Sequence, residues 1–353
     1  MLKLARKIAS GVRITPREAL KLFESDDIFT LGELASLSAE RKNGNKVYYI
    51  RNVHVNPTNI CVNRCRFCAF SRSRNDSGAY EMTAAQVISR LKNKKVRFFD
   101  EVHIVGGLHP DWDFEHYTGL LRAIKQNFPR VGIKAFTAVE VDHMRRISGF
   151  AFPDVFRRLK ASGLDVMPGG GAEIFDSAVR GALCPEKLPG REWLRVMKAA
   201  HVAGIRTNAT MLYGHIENYS HRVAHLVALR RLQDETGGFQ AFVPLPYQPG
   251  AQIGGAKPSS GIEDLKCIAV SRIFLDNFDH IKAYWVMLGE KLSQVALGFG
   301  ADDLEGTVTE EKIAHSAGAR TRTHLAEDEL KTLIAKAGKR PVRRDSFYRR
   351  LIR

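Results

Sequence analysis

The sequence predicts an α/β fold: a (β/α)8 barrel of parallel strands, with a helical lead-in before it and a basic extension after it. Two observations carry this. From Lys46 onward, short apolar runs alternate with helical patterns eight times over, as expected of βα units around a parallel sheet. Nearly every one of those runs ends in glycine or in a polar or titratable residue, and chemistry in such barrels gathers at the C-terminal ends of the strands. The length of 353 residues fits, because a barrel takes about 250. The expected division is 1–46 lead-in, 47–320 barrel, and 321–353 C-terminal helix and basic tail.

The lead-in reads as helices. Thr15-Pro16-Arg17-Glu18 is a capping box with proline at the first helical position. Thr30-Leu-Gly-Glu33 repeats the box, and the polar Arg41–Lys46 stretch marks the boundary. The predicted strands are 47–55, 101–105, 133–137, 163–167, 205–211, 239–245, 281–286 and 295–299. Helices fill the gaps, at about 115–127, 153–162, 190–203, 218–235, 260–277, 286–294 and 309–317, with a further one opened by the box Thr83-Ala-Ala-Gln86. Loops at the opposite face, such as Lys92-Asn-Lys-Lys95, read as solvated.

Composition is globular, with 44% hydrophobic residues and no apolar run long enough to span a bilayer. The basic N-terminus lacks a sustained apolar stretch of the signal-peptide kind. A cytoplasmic protein without membrane association is expected. The net charge of +16 invites a nucleic-acid reading. The excess is spread along the chain, with one concentration in Lys339–Arg353, which holds seven bases and one acid. Without a recognition helix or an aromatic-interleaved stripe, the expectation is a solvated basic surface and no nucleic-acid partner.

Three of the five cysteines fall within eight residues, as Cys61-x3-Cys65-x2-Cys68. Three thiolates this close can converge on one metal centre. Three ligands on a cubane [4Fe–4S] cluster leave one iron open to a small molecule. Zinc prefers four ligands in paired knuckles, and no second Cys-x2-Cys exists, although twelve histidines leave a histidine ligand open by count. Cys184 and Cys267 stand apart and read as bystanders.

The strand ends supply the other candidates. They are Gly106-Gly107-Leu-His109 after the second strand, Glu140, Asp142 and His143 after the third, and Gly169-Gly170-Gly171-Ala-Glu173 after the fourth. Asn208, Tyr213 and His215 follow the fifth, and Pro244, Pro246, Tyr247 and Gln248 the sixth. Trp285 and Gly289 follow the seventh, and Asp302 and Asp303 the eighth. Arg72 and Arg206 are candidates for bidentate pairing with a substrate carboxylate.

The cysteine spacing, with Phe67 before the last cysteine, resembles the radical S-adenosylmethionine (SAM) signature. The longer string Asn56-Pro-Thr-Asn-Ile-Cys61-Val-Asn-Arg-Cys65-Arg-Phe-Cys68-Ala-Phe-Ser-Arg72 resembles the aminofutalosine synthases, radical SAM enzymes of the futalosine route to menaquinone. So do the strings 103–111, 134–140, 168–175, 206–215 and 232–242. Dehypoxanthine futalosine cyclase and the radical SAM half of FO synthase share much of this pattern. Pro244-Leu-Pro-Tyr-Gln248 departs from it, where a more alanine-rich segment is expected.

The resemblance implies a barrel of the radical SAM kind, a [4Fe–4S] cluster on Cys61, Cys65 and Cys68, and SAM as a consumed cosubstrate. It implies a reductant such as flavodoxin or ferredoxin. It implies that the 5′-deoxyadenosyl radical adds to 3-[(1-carboxyvinyl)oxy]benzoate, that the resulting carbon radical attacks the benzoate ring and the aryl ether bond migrates, and that carbon dioxide or bicarbonate leaves to give 6-amino-6-deoxyfutalosine. The cofactor-binding candidates are then Phe67, Gly106, Gly107, Glu140 and Glu173. The catalytic candidates are Glu140, His109, His215 and Tyr213, and the substrate-binding ones Arg72, Arg206, Asn208 and His215. A distant alternative is a nucleic-acid-binding iron–sulfur protein. The resemblance implies that SAM cleavage survives removal of residues 339–353 unless the tail closes the barrel.

Overall fold

A computed structural model describes residues 2–93, 98–250, 253, 256 and 259–351. Lys94, Lys95 and the last two residues of the tail lie outside them. The strands are β1 Lys46–Ile50, β2 Asn52–Val55, β3 Glu101–Ile104, β4 Gly132–Ala135, β5 Val166–Met167, β6 Arg206–Tyr213, β7 Phe239–Pro246, β8 His280–Ile281, β9 Asp303–Gly306 and β10 Arg340–Arg343. Strands β2 to β8 form one parallel sheet in chain order, and right-handed helical crossovers make such a sheet curl into a barrel wall. The stretch 302–309 bridges its two edges. Ala283 N donates to Asp303 O at 2.8 Å on the β8 side, and His54 N donates to Thr309 O at 2.8 Å on the β2 side. The predicted first strand is split at Arg51, so that its first half leaves the barrel wall and pairs in parallel with β9 and β10.

The predicted eighth strand is displaced. Val295–Phe299 belongs to the end of the helix Glu290–Ala296 and the turn after it. The strand is the polar Asp303-Leu-Glu-Gly306 instead. Apolar patterning misses it because its acids face partners inside the barrel. Glu305 bonds Lys134 at 3.2 Å and also Lys282, and Lys134 reaches Glu101 at 2.6 Å. Asp303 takes Arg344 at 2.8 Å. All six side chains are nearly or wholly buried. Barrel interiors are usually filled by layers of branched apolar residues; this one is closed near its base by a charge-balanced network.

Helix starts follow local chemistry. Thr15 and Thr83 each complete a capping box, with Glu18 and Gln86. Thr30 does not cap: the helix Ile28–Asn43 starts earlier, and Asp27 accepts from Thr30 N at 3.0 Å. A box unread in the sequence, Thr137 with Glu140, starts the helix Ala138–Ser148, so Glu140, Asp142 and His143 are helical. A further helix, Ser177–Leu183, starts from Asp176, whose side chain accepts from Ala178 N and Val179 N.

The tail is not a solvated surface throughout. Arg344 is 1% exposed. Strand β10 lies against β1, and the Tyr348 ring stacks on His280 with centroids 3.9 Å apart.

Near the barrel mouth, His315 pairs with Glu311 at 3.0 Å. That hydrogen bond raises its pKa from the ordinary 6.5 to about 9. A raised folded-state pKa gives stability that is full below 6.5 and lost as pH climbs through 9. Solvent screening of this half-buried pair leaves roughly 1 kcal/mol. Urea unfolding between pH 6 and 9.5 should show wild type losing that much more stability than His315→Gln. Parallel losses in the two proteins would refute the assignment.

Candidate active site

The site is built on the loop after β2. Backbone bonds fix the cysteines' run: Cys61 N donates to Arg72 O at 3.1 Å, Val62 N to Leu108 O at 3.0 Å, and Arg66 N to Leu183 O at 2.9 Å. Cys61, Cys65 and Cys68 are half-buried free thiols. All three line a cavity of about 330 Å³ at the C-terminal ends of the strands. Burial pushes the Cys61 thiol up. A hydrogen bond with Cys184 lowers Cys65 to about 7, so Cys184 is a neighbour of the motif and not a bystander. Cys267 is buried in the helix Gly261–Phe274. Three thiols on one loop, open to a cavity, fit a cluster held by three ligands.

Gly107 explains how the loop comes so close to β3. A Cβ there would lie 2.2 Å from the Ile60 carbonyl oxygen. Its missing side chain is therefore used against the cysteine loop's own backbone. Gly107→Ala should displace that loop at a cost of about 1–3 kcal/mol and lower iron loading on reconstitution. Full loading with unchanged unfolding would contradict it. The three glycines 169–171 likewise serve packing. Cβ atoms there would meet the Ala209 backbone at 2.7 Å, Thr137 at 2.9 Å and Val139 at 2.4 Å.

Glu140 lines the cavity, but both of its oxygens are engaged. Oε1 accepts from Gly106 N at 3.0 Å and Oε2 from Thr137 N at 2.7 Å. Burial pushes its carboxyl up to about 7, against those bonds. Glu173 is buried in a left-handed conformation, with φ of 49°. Burial would raise its pKa, but Lys187, at 2.6 Å, brings it below the ordinary carboxylate value. Lys187 also lies over the Phe67 ring, 4.9 Å from its centroid. Asn208 is buried and lines the same cavity, as do Phe67, Gly106 and Gly107.

Of the seven catalytic and substrate-binding candidates, five are not among the residues lining the cavity. His109 is locked in a turn, with Nε2 3.1 Å from Glu81 and its ring stacked on Trp112. His215 is held by Glu217 at 2.9 Å and by the Leu212 carbonyl at 3.0 Å. Tyr213 is fully buried and donates to Asp264 at 2.8 Å. Arg72 braces the cysteine loop through the Ala69 and Ser71 carbonyls, both at 2.9 Å. Arg206 opens β6, exposed at the opposite end of the barrel, and donates to Gly237 O. Among the described residues lining the cavity, Lys187 is the sole lysine or arginine. Neither Arg72 nor Arg206 is among them. The lining also includes His54, His103, Tyr284, Glu305 and Glu311. Strand-end reading missed these, because the histidines precede the strand ends and the glutamates lie in or beyond the displaced eighth strand.

This fold and cysteine loop define a class, and residues 55–229 match the model of the radical SAM superfamily. The chain belongs to that superfamily, whose enzymes use a [4Fe–4S] cluster and SAM. Within it the chain falls among the aminodeoxyfutalosine synthases. It is 43% identical to the aminodeoxyfutalosine synthase of Thermus thermophilus, over 99% of this chain and 95% of that protein. It is 41% identical to that of Streptomyces coelicolor, over 98% and 92%. Residues 236–352 match the CofH/MqnC C-terminal region. A 5-amino-6-(D-ribitylamino)uracil–L-tyrosine 4-hydroxyphenyl transferase of Methanocaldococcus jannaschii is 41% identical, over 95% of this chain and 96% of that protein. The fold matches methylornithine synthase, with TM-score 0.77, 17% identity and coverage of 96% and 97%. It also matches the FeFe-hydrogenase maturase HydG from Carboxydothermus hydrogenoformans, with TM-score 0.76, 16% identity and coverage of 98% and 80%. Among the described residues, no helix is long and apolar enough to cross a membrane.

Proposed function

We propose that the chain joins the adenosyl group of SAM to the enol carbon of 3-[(1-carboxyvinyl)oxy]benzoate, giving 6-amino-6-deoxyfutalosine, methionine and carbon dioxide or bicarbonate. The observation that carries this reading is the near-full-length similarity to aminodeoxyfutalosine synthases. A [4Fe–4S] cluster on Cys61, Cys65 and Cys68, reduced by a flavodoxin- or ferredoxin-type donor, would supply the electron that cleaves SAM.

The chain's own residues place the two reactants. Glu173, kept ionised by Lys187, is suited to accept from the ribose hydroxyls of SAM. Glu140 holds the Gly106–Gly107 turn through the Gly106 N–H. Phe67 and Lys187 wall the cluster side. Phe70, Leu108, Val139, Leu212 and Val243 give the cavity apolar walls that exclude water and stray hydrogen donors. Binding must bring the enol carbon within about 3–3.5 Å of the adenosyl carbon.

The test is anaerobic reconstitution with iron and sulfide, then SAM, a reductant and the enolpyruvyl benzoate. An adduct retaining both adenosine and benzoate is expected. Free 5′-deoxyadenosine with unconsumed benzoate refutes the reading. A parallel incubation with tyrosine and 5-amino-6-(D-ribitylamino)uracil separates the transferase reading suggested by the archaeal relatives, because the products differ in mass.

A further inference from the structure

One layer below the Gly106–Gly107 turn, the cavity carries a second polar cluster. His54 on β2 and His103 on β3 are partners in strand register, with ring centroids 4.4 Å apart. Nε2 of His54 and both ring nitrogens of His103 are buried without a hydrogen-bond partner. Unpartnered buried nitrogens are rare and call for a ligand. Glu305 completes the group, each residue bringing one donor atom within 4.8 Å of the others.

Two histidines and a carboxylate suggest a divalent cation first. The surroundings argue against one. Both Glu305 oxygens are already bonded to ammonium groups, those of Lys134 and Lys282. The acids Glu101, Asp303 and Glu305 are matched by Lys134, Lys282 and Arg344, so each acid of the group already has a cationic partner. A metal-bound imidazole also normally donates its second nitrogen to a partner, and neither His103 nitrogen has one.

An anion meets better conditions. Burial keeps both imidazoles neutral, so each has one N–H to donate. Lys134 and Lys282 act on His103 as positive neighbours and Glu305 as a negative one, so it is the unpartnered N–H groups, and not a net positive field, that a carboxylate would meet. The one lysine of the described lining, Lys187, is already held by Glu173.

We infer that His54 and His103 form a carboxylate-recognition pair, donating to the ring carboxylate of the substrate and so fixing where its enol carbon lies. This rests on the proposed reaction. The pair positions the substrate; it takes no part in bond making. It also accounts for a cavity that receives a dianion with no arginine among its described lining residues.

The test compares the enolpyruvyl benzoate with 2-phenoxyacrylate, which lacks the ring carboxylate, in wild type, His103→Phe and His103→Asn. A hydrogen bond to a charged group corresponds to about a 10–150-fold preference. Wild type should prefer the carboxylate compound by a factor in that range in kcat/KM. His103→Phe should remove most of the preference, mainly through KM, leaving the part that His54 donates, and His103→Asn, which keeps a donor at that position, should lose less. Should the Phe variant not fold, His103→Asn and His54→Gln carry the comparison. An unchanged preference in the variants overturns the inference, as does one equivalent of a non-iron metal in wild type that is lost in His103→Asn. No adduct from either compound with wild type refutes the proposed reaction instead, and this inference with it.

Discussion

Cys61→Ser is expected to abolish SAM cleavage, with iron and sulfide content falling in parallel. A serine hydroxyl is a poor ligand for a soft iron–sulfur centre, and the three cysteines on this loop leave no spare ligand if one iron is to stay open for SAM. The choice of cysteine matters. Cys184 hydrogen-bonds with Cys65, so Cys65→Ser leaves a buried thiol beside the vacated position. Cys61 instead accepts from the Leu108 and Asn63 backbone. The expected order is therefore complete loss in Cys61→Ser and in Cys65→Ser/Cys184→Ala, with loading retained in Cys184→Ala alone. The measurements are iron and sulfide per chain and 5′-deoxyadenosine formed from SAM. Wild-type turnover by Cys61→Ser would sink the assignment of the cluster to this loop.

Local signals were legible in the sequence wherever local chemistry decides the structure. The boxes at Thr15 and Thr83 start helices because side chain and backbone satisfy each other within four residues. The cysteine loop was legible because its ligands are contiguous. The barrel was legible because seven of its strands carry apolar runs bounded by turns. Side-chain direction was not. His109, His215 and Tyr213 follow strand ends, as active residues do, yet each is held away from the cavity by a neighbour: Glu81, Glu217 and Asp264. Arg206 failed for a simpler reason, since it opens its strand. β9 escaped because its acids are neutralised by a lysine on β4 and one just after β8, more than twenty residues away in sequence. Lys187 escaped because nothing in Pro185-Glu186-Lys187 marks a lysine that will sit half-buried between Glu173 and Phe67.

Removing residues 339–353 is expected to prevent stable folding, not to leave SAM cleavage intact. The tail closes the base of the barrel. β10 pairs with β1 from Lys46↔Arg340 to Tyr49↔Arg343, Gln240 donates to the Ser346 carbonyl at 3.1 Å, and Arg344 holds Asp303. Arg344→Met isolates the electrostatic part. It leaves the buried Asp303 and Glu305 short of one cation, and breaking a buried pair from one side costs about 3–5 kcal/mol. Against a total of about 5–15 kcal/mol, that loss should be plain in urea unfolding. Arg350→Ser, at an exposed position, should change stability by less than about 0.5 kcal/mol. Equal stabilities of Arg344→Met and wild type would refute the plug. The same geometry bears on nucleic acid. Lys339 pairs with Glu40 at 2.9 Å, Arg349 with Asp345 at 2.6 Å, and Arg343 lies 3.6 Å from Asp100. With Arg344 inside the barrel as well, most of the tail's described positive charge is already met by the chain's own acids. Salt-dependent RNA binding that vanished with Arg349→Ser/Arg350→Ser, in a variant still folded, would show that the remaining charge is enough for a second partner; the structure predicts no such binding.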